Sequence, residues 1–174
     1  MTDTSTRRLH QGDTDTVNAL VRALGAQMLR DAGATDQDVE AWLLRRTAGE
    51  TLIQLTSRDT AMYGAFDGDE LVAVGGITVT DDQHGRIHTA YVTDHGHGHG
   101  HVKLLFMRGL QDAFGAGVTD FSMVISANNP RAQHIAHRFG FEVEGPYRDA
   151  LLPHLEFLLL TAPIERVAHS LVVR

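Results

Sequence analysis

The sequence predicts an α+β fold in which a meander of antiparallel strands is joined to alternating helices and strands. Short runs of β-branched and aromatic residues, bounded by turn residues, occupy the middle of the chain. Apolar residues with a helical period lie before and after those runs. Residues 85–113 combine a strand, a glycine-rich turn and a helix in direct succession. We expect the other elements to be organised around that stretch.

Composition is typical of an ordinary globular protein. The 174 residues are enough for one domain, expected over residues 1–174 with a core at about 7–162 and tails at 1–6 and 163–174. The absence of cysteine excludes disulfides, cysteine–zinc sites and cysteine nucleophiles. The net charge of −7 disfavours a nucleic-acid partner and tolerates cationic substrates such as amines. No segment approaches the roughly eighteen consecutive apolar residues of a membrane span, and the N-terminal stretch has no hydrophobic leader pattern, so we expect no membrane partner and a cytoplasmic location.

The first half of the chain is expected to supply a short strand and two helices before the meander. The strand is Arg7–His10, and a helix follows from Asp13 or Thr14 to about Asp31. One side of this helix is apolar, through Val17, Leu20, Val21, Leu24 and Met28. A second helix is expected to begin at Thr35 and to end near Gly49.

The predicted strands and remaining helices follow from turn and cap residues. The strands are Thr60–Phe66, Leu71–Thr80 with a bulge at Gly75–Gly76, the strand ending at Val92, Asp120–Ser126, Phe141–Gly145 and Leu155–Ala162. One helix covers residues 101–113. Asn129 caps another, Arg131–Phe139, with Pro130 at its first position and Gly140 after its end. The apolar last strand is explained by a central place in the sheet or by a homodimer edge.

The turn before the helix at residue 101 alternates histidine and glycine from His95 to Gly100. Three glycines allow positive φ and close approach to a ligand, and the helix start offers unpaired N–H groups. This pattern favours a phosphate or pyrophosphate. The turn lacks the Gly-Lys-Ser/Thr ending of a nucleoside-triphosphate loop, and no acidic residue supports a dinucleotide fold.

The same turn has a second interpretation as a metal-binding tract. His95, His97, His99 and His101 are spaced two residues apart, and imidazole is a common metal ligand. The sequence contains no H-E-x-x-H motif and no cysteine ligand to accompany them. We therefore expect no functional metal, while adventitious chelation by the tract stays open.

Two motifs resemble the GNAT-type N-acetyltransferase superfamily over about residues 7–162. The first is the loop His95–Gly100, in which Gly98 and Gly100 match and His95 departs from the usual Arg or Gln. The second is Asn129-Pro130-Arg131-Ala132, followed by Phe139-Gly140-Phe141 and Glu144-Gly145. The resemblance implies a three-layer α/β arrangement, with a mixed, mostly antiparallel sheet of about six to seven strands flanked by helices.

The resemblance also implies a reaction. Acetyl-CoA, as co-substrate and without a metal, would donate its acetyl group to a primary amine of a small molecule, a lysine or a protein N-terminus. The amine would attack directly in a ternary complex. The implied contacts to acetyl-CoA are Tyr91, Val92, Thr93, His95, Gly96, His97, Gly98, His99, Gly100, His101, Asn129, Arg131 and Ala132. The implied acceptor contacts are Trp42, Tyr147 and Arg148.

Two catalytic positions depart from the family pattern. A Tyr that often protonates the leaving thiolate is replaced by Ala136, which leaves His137, His134 or Ser126 as acid candidates. A Glu that often acts as base on the fourth strand is missing, and His88 is the base candidate because its ordinary pKa of about 6.5 suits neutral pH. Strand alternation places Tyr91 opposite His88. Because of these departures, a catalytically silent acyl-CoA-binding module is an alternative function. The histidine tract leaves a metal-binding module as a further alternative.

Overall fold

A computed structural model describes residues 4–80 and 82–172, and within those ranges the chain forms seven strands and six helices. The strands are β1 (Thr4–Arg8), β2 (Thr60–Asp67), β3 (Glu70–Val79), β4 (His84–Val92), β5 (Asp120–Ser126), β6 (Glu142–Tyr147) and β7 (Phe157–Pro163). The helices are α1 (Thr14–Asp31), α2 (Asp36–Arg45), α3 (Ala48–Thr56), α4 (His101–Gly115), α5 (Pro130–Arg138) and α6 (Ile164–Val172).

The strands form one mixed sheet in the order β1-β2-β3-β4-β5-β7-β6. Neighbouring strands are antiparallel except β4 and β5, which are parallel. Helices α1, α2 and α3 cover one face, called here the α1 face. Helices α4, α5 and α6 cover the other, the α4 face. The predicted mixed, mostly antiparallel sheet flanked by helices is confirmed.

The expected second helix is two helices, so its predicted end near Gly49 is wrong. Helix α2 ends at Arg45, and α3 begins after Thr47. The Thr47 side chain accepts a hydrogen bond from the Glu50 N–H at 3.2 Å. The Thr47–Glu50 spacing is that of a helix N-cap, so the break was readable from the sequence.

Both predicted tails contribute structure. Strand β1 begins at Thr4 rather than Arg7 and pairs along β2. Residues 164–172 form α6, which buries Ile164, Val167 and Leu171 against the α4 face. Residues 1–3 and 173–174, which belong to the predicted tails, lie outside the described ranges, as does Asp81.

The junction of β4 and β5 opens part-way along its length. Pairing runs from His84–Asp120 to Ile87–Met123, and the two strands diverge beyond it. The His84 ring holds the closed end, since its Nδ1 contacts the Asp120 carboxylate and its Nε2 lies 2.7 Å from the Ser122 hydroxyl. The gap between residues 88–92 and 124–126 is called the β4–β5 opening below.

Candidate active site

The glycine-rich turn between β4 and α4 has the backbone that its sequence predicts. Gly98 and Gly100 have φ of +85° and +78°, the left-handed region that favours glycine. A Cβ atom at either residue would meet nothing within 4 Å, so the space in front of both is open. The first intrahelical bond runs from the Leu104 N–H to the Gly100 carbonyl at 3.1 Å. The turn therefore presents the start of α4 to an open space that suits an anion.

Gly96 has a different role, because the turn is folded tightly onto β3 at that point. A Cβ atom there would lie 3.0 Å from the Val72 carbonyl oxygen and 3.1 Å from the Thr93 hydroxyl oxygen. The Thr93 hydroxyl accepts from the Gly96 N–H and donates to the Val72 carbonyl, each at 3.2 Å. Thr93 and Gly96 thus anchor the turn.

The side chains of the four alternating histidines have different surroundings. His95 Nε2 lies 3.1 Å from a Glu70 carboxylate oxygen, while His99 and His101 stack with ring centroids 5.8 Å apart. The His101 side chain is buried, and its Nδ1 has no hydrogen-bond partner among the described residues. Within residues 4–80 and 82–172, no three His, Cys, Asp or Glu side chains are placed to hold a metal ion.

Two of these histidines have a pKa below the ordinary value. Burial lowers the pKa of His97, with a further lowering by nearby Arg131, against an opposing effect of Asp94. Burial and the neighbouring His99 lower the pKa of His101, against an opposing effect of Asp67. The lowered pKa values disfavour imidazolium charge at these two positions, whereas the backbone N–H groups at the start of α4 keep their polarity at any pH.

The second motif lies beside the first. The Asn129 side chain accepts from the Ala132 N–H at 2.9 Å, and Pro130 occupies the first turn of α5, so the predicted cap is confirmed. Arg131, in that first turn, lies close enough to His97 to influence its pKa. The N-terminus of α5 therefore lies next to the turn that precedes α4.

A bulge in β4 corrects the predicted orientation of Tyr91. Val74 pairs with Tyr91 and Gly76 pairs with His88, so two steps along β3 match three along β4. Thr89 takes a positive φ of 55° within the extra segment. The prediction that Tyr91 and His88 face opposite ways is wrong, because the inserted residue places both side chains on the α1 face.

His88 is held by hydroxyl groups on both ring nitrogens. Its Nε2 lies 3.0 Å from Thr78 Oγ1, and its Nδ1 lies 2.9 Å from Thr89 Oγ1. The Thr78 hydroxyl oxygen also lies 2.9 Å from Thr60 Oγ1, within hydrogen-bond distance. The ring covers Gly76, where a Cβ atom would lie 2.5 Å from His88 Cε1.

The environment of His88 changes its expected chemistry. Burial, followed by the charges of Arg86 and Arg46, lowers the pKa of His88 from 6.5 to about 4. The imidazole is uncharged at neutral pH, and it is a weaker base than its ordinary pKa suggested. Sequence reasoning missed Arg46, Arg86 and Thr78, although Arg86 lies two residues before His88 and therefore on the same strand face.

The α4 face of β4 carries an apolar pocket. Ala90, Val92, Val102 and Phe106 contribute to its lining, and its volume is about 50 Å³. Ile87 and Val92 face this side, whereas His88 and Tyr91 face the other. The β4–β5 opening thus has an apolar side beneath α4 and a polar, cationic side beneath the first helices.

The predicted acceptor residues are only partly brought together. Trp42 and Tyr147 pack against one apolar cluster on the α1 face, and the Arg46 guanidinium carbon lies 5.1 Å from the Trp42 ring centroid. Tyr91 packs against a second cluster that also includes Trp42. Arg148 is exposed at the end of β6. Trp42 therefore connects the predicted acceptor wall to the surroundings of His88.

The candidates for a general acid have other contacts. His137 is exposed in the last turn of α5 and its Nδ1 lies 2.9 Å from the Phe141 carbonyl oxygen, about 12 Å along the helix from the Asn129 cap. The Ser126 hydroxyl is buried and accepts from the Asn128 N–H at 3.1 Å. His134 is exposed on α5. Ala136 packs in the core.

Comparisons with known proteins agree on one family. Residues 25–141 match the acetyltransferase (GNAT) family. The chain is similar to the PaiA N-acetyltransferase from Thermoplasma acidophilum in complex with coenzyme A, with 15% identity, a TM-score of 0.79 and coverage of 92% of this chain and 99% of that one. It is also similar to a probable acetyltransferase from Staphylococcus epidermidis, with 18% identity, a TM-score of 0.73 and coverage of 92% and 98%.

A third similar structure is a chimeric spermidine N-acetyltransferase from Vibrio cholerae and hSSAT, with 13% identity, a TM-score of 0.68 and coverage of 95% of this chain and 98% of that one. At these identities the structures establish a shared fold. The search of curated proteins gave no match. None of the helices in the described ranges has the length and apolar character needed to cross a membrane.

Proposed function

Because the chain belongs to the acetyltransferase (GNAT) family, we propose that it transfers an acetyl group from acetyl-CoA to a primary amine. The observation that carries this proposal is the placement of two helix N-termini, of α4 and α5, beside the β4–β5 opening. The similar Thermoplasma acidophilum protein was solved with coenzyme A, which supports the same ligand here.

The pyrophosphate of acetyl-CoA would bind at the turn before α4. Gly98 and Gly100 leave open space, and the N–H groups of the turn and the first turn of α4 supply donors. Arg131 would add a positive charge from the start of α5. The end of the pantetheine arm that carries the thioester would then lie against Val102 and Phe106 in the pocket beneath α4.

The reacting thioester would lie in the β4–β5 opening. Beyond Ile87, the edge of β4 that faces β5 is no longer engaged in the parallel ladder. A backbone N–H near Val92 can therefore donate to the thioester carbonyl oxygen, where negative charge develops. Acetyl-CoA enters from the α4 face and the amine from the α1 face, so most of the rate enhancement would come from holding the two reactants together.

The proton leaves the amine as its nitrogen bonds to the acetyl carbon and the carbon–sulfur bond breaks. His88 is the proton acceptor in this proposal, since it is uncharged and lies on the acceptor side of the opening. Because hydroxyls contact both ring nitrogens, the proton would reach Nδ1 through the Thr89 hydroxyl, 2.9 Å away. The Thr78 and Thr60 hydroxyls, in sequence from Nε2, offer a path for that proton away from the reacting atoms. With Ala136 in the core and His137 on the Phe141 carbonyl, we assign no side chain to protonate the thiolate.

A catalytically silent acyl-CoA-binding module is the alternative. Two observations favour it: Ala136 stands where family members often carry an acid, and His88 is a weak base. A single experiment separates the two functions. Thiol release from acetyl-CoA is followed with amino acids, polyamines, aminoglycosides and peptides with free N-termini or lysines.

Amine-dependent thiol release above the rate of acetyl-CoA hydrolysis supports the enzyme. Saturable binding of acetyl-CoA with no thiol release from any amine supports the silent module. His88→Gln then tests the proton acceptor: a general base contributes roughly 100- to 10,000-fold to rate, so kcat should fall while acetyl-CoA affinity is retained. An unchanged kcat would remove His88 from the mechanism.

A further inference from the structure

We propose that the acceptor amine carries an anionic group, and that Arg46 and Arg86 bind that group on the α1 face, beside His88 at the start of the opening. The acceptor class is then a small zwitterionic amine, such as an α-amino acid, rather than a polyamine or an aminoglycoside. This inference rests on the proposed acetyltransferase function, and it goes beyond that function by naming what the acceptor must carry besides its amine.

Arg86 is directed to the acceptor side by its strand. His84, Arg86 and His88 alternate along β4, so their side chains share the α1 face. Between them, Ile87 packs into the core of the α4 face. Arg86 pairs across the sheet with Thr78, the residue whose hydroxyl contacts His88. The exposed Arg86 side chain therefore lies one strand repeat from the proposed proton acceptor.

Arg46 reaches the same place from the end of α2. The Arg22 guanidinium of α1 donates to the Leu43 carbonyl at 2.5 Å and to the Arg46 carbonyl at 2.7 Å, which fixes the backbone that carries Arg46. The Arg46 guanidinium lies over the Trp42 ring. Its positive charge contributes to the lowered pKa of His88 and opposes the rise that burial causes in the pKa of Tyr91. Arg46 and Arg86, on two different elements, are thus both close enough for their charges to lower the pKa of His88.

The local charge is opposite to that of the whole chain. The net charge is −7, yet the charged groups that reach His88 are both arginines. Across residues 4–80 and 82–172, no carboxylate lies within 4.0 Å of the Arg46 or Arg86 guanidinium. A polycationic acceptor would meet like charge here, whereas a carboxylate or phosphate would give both guanidinium groups an anionic partner that the described residues do not supply.

An anionic acceptor would also restore basicity to the proton acceptor. Burial is the main cause of the lowered pKa of His88, and the charges of Arg86 and Arg46 add to it. Neutralising those charges with a bound anion reduces the second contribution. Binding of such an acceptor would therefore favour its own deprotonation. The neighbouring Trp42 and Tyr91 rings add an apolar wall.

The test is a comparison of matched amines. The initial rate of thiol release from acetyl-CoA is measured with the common α-amino acids, with the carboxamide of each, and with spermidine. For the best carboxylate acceptor we expect kcat/KM at least about 10-fold above that of its carboxamide, and little turnover of spermidine. Amines differ in basicity, which alone changes their rates. The deciding comparison is therefore the change in kcat/KM that substitution of Arg46 or Arg86 causes with each amine.

Arg46→Gln and Arg86→Gln should each lower kcat/KM for the carboxylate roughly 10- to 100-fold, the effect of losing a hydrogen bond to a charged group. Each should change kcat/KM for the carboxamide less than about threefold. Arg45→Gln is the control, since it removes the same charge from the adjacent, exposed residue of α2. It should leave all rates within about twofold.

The outcomes separate the inference from the proposed function. Equal losses of kcat/KM for carboxylate and carboxamide in both arginine variants, or the same loss with spermidine, overturn the anionic acceptor and leave the acetyltransferase standing. Absence of thiol release with every amine overturns both. A carboxylate preference that Arg46→Gln and Arg86→Gln remove, and Arg45→Gln retains, supports the inference.

Discussion

The turn before α4 and the bulged part of β4 both border the β4–β5 opening, and they differ in how their chemistry is built. The chemistry of the turn depends on its backbone: Gly98 and Gly100 take positive φ, the pKa values of His97 and His101 are lowered, and His95 contacts Glu70. The bulged strand depends on side chains, with His88 held by two hydroxyls and flanked by two arginines. A backbone site tolerates changes of side chain that a side-chain site does not.

The largest expected effect comes from placing a side chain and a negative charge in the turn. Gly98→Glu forces a non-glycine residue to φ near +85° and puts a carboxylate where a pyrophosphate would bind. We expect acetyl-CoA affinity to fall by about 1,000-fold in isothermal titration. Gly12→Glu is the control, because Gly12 also has open space around it and lies outside the turn. Equal affinity in both variants would place the CoA site elsewhere.

The next effect is on stability and tests the surroundings of His88. Its pKa of about 4 in the folded protein lies below the unfolded value of 6.5, so the folded state resists a proton that the unfolded state accepts. The native chain should therefore lose up to about 3 kcal/mol from this group as pH falls from 6.5 to 4, with the full contribution present above 6.5.

His88→Asn removes the side chain whose lowered pKa makes the stability of the folded state depend on pH. Its urea-unfolding free energy should fall less steeply than that of the native chain between pH 6.5 and 4. His169→Asn on α6 serves as the comparison variant, and its profile should keep the native slope. Parallel profiles for the native chain and His88→Asn would contradict the lowered pKa.

A smaller effect is expected from moving His88 without removing it. Gly76→Ala places a Cβ atom 2.5 Å from His88 Cε1, so the ring must rotate away from Thr78. We expect kcat to fall about 10-fold, at the low end for a displaced general base, with acetyl-CoA affinity unchanged. Gly49→Ala, whose Cβ would make only an ordinary 3.6 Å contact, should be neutral in the same assay.

The smallest effect is expected at the histidine that departs from the family pattern. The His95–Glu70 contact joins side chains that are 57% and 65% exposed, so it contributes less than about 1 kcal/mol. His95→Ala should lower the melting temperature by no more than a few degrees and change acetyl-CoA affinity less than about threefold. A loss comparable to that of Gly98→Glu would show that the turn acts through its side chains.

Local signals predicted the turn and the Asn129 cap, because each depends on residues a few positions apart. Gly98, Gly100, Asn129 and Pro130 all behave as their residue types require. The orientation of Tyr91 was not predictable from alternation, since the bulge at Thr89 depends on pairing with β3. The position of Arg46 required the break between α2 and α3, which the Thr47 cap signals.

The acceptor side was the least predictable part for a physical reason. The low pKa of His88 arises from burial and from charges on two elements distant in sequence, Arg46 and Arg86. The net charge of −7 was compatible with cationic substrates, whereas the charge close to His88 is positive. The net charge of the whole chain gives no information about which charged residues lie close together at one site.

The central claim, that the turn before α4 is a CoA site built from backbone, is tested most directly by titrating the native chain with acetyl-CoA in a calorimeter, with and without EDTA. We predict saturable binding at one site per chain with the same affinity in both conditions. Absence of binding, or binding that EDTA abolishes, would contradict the account and would assign the alternating histidines to a metal instead.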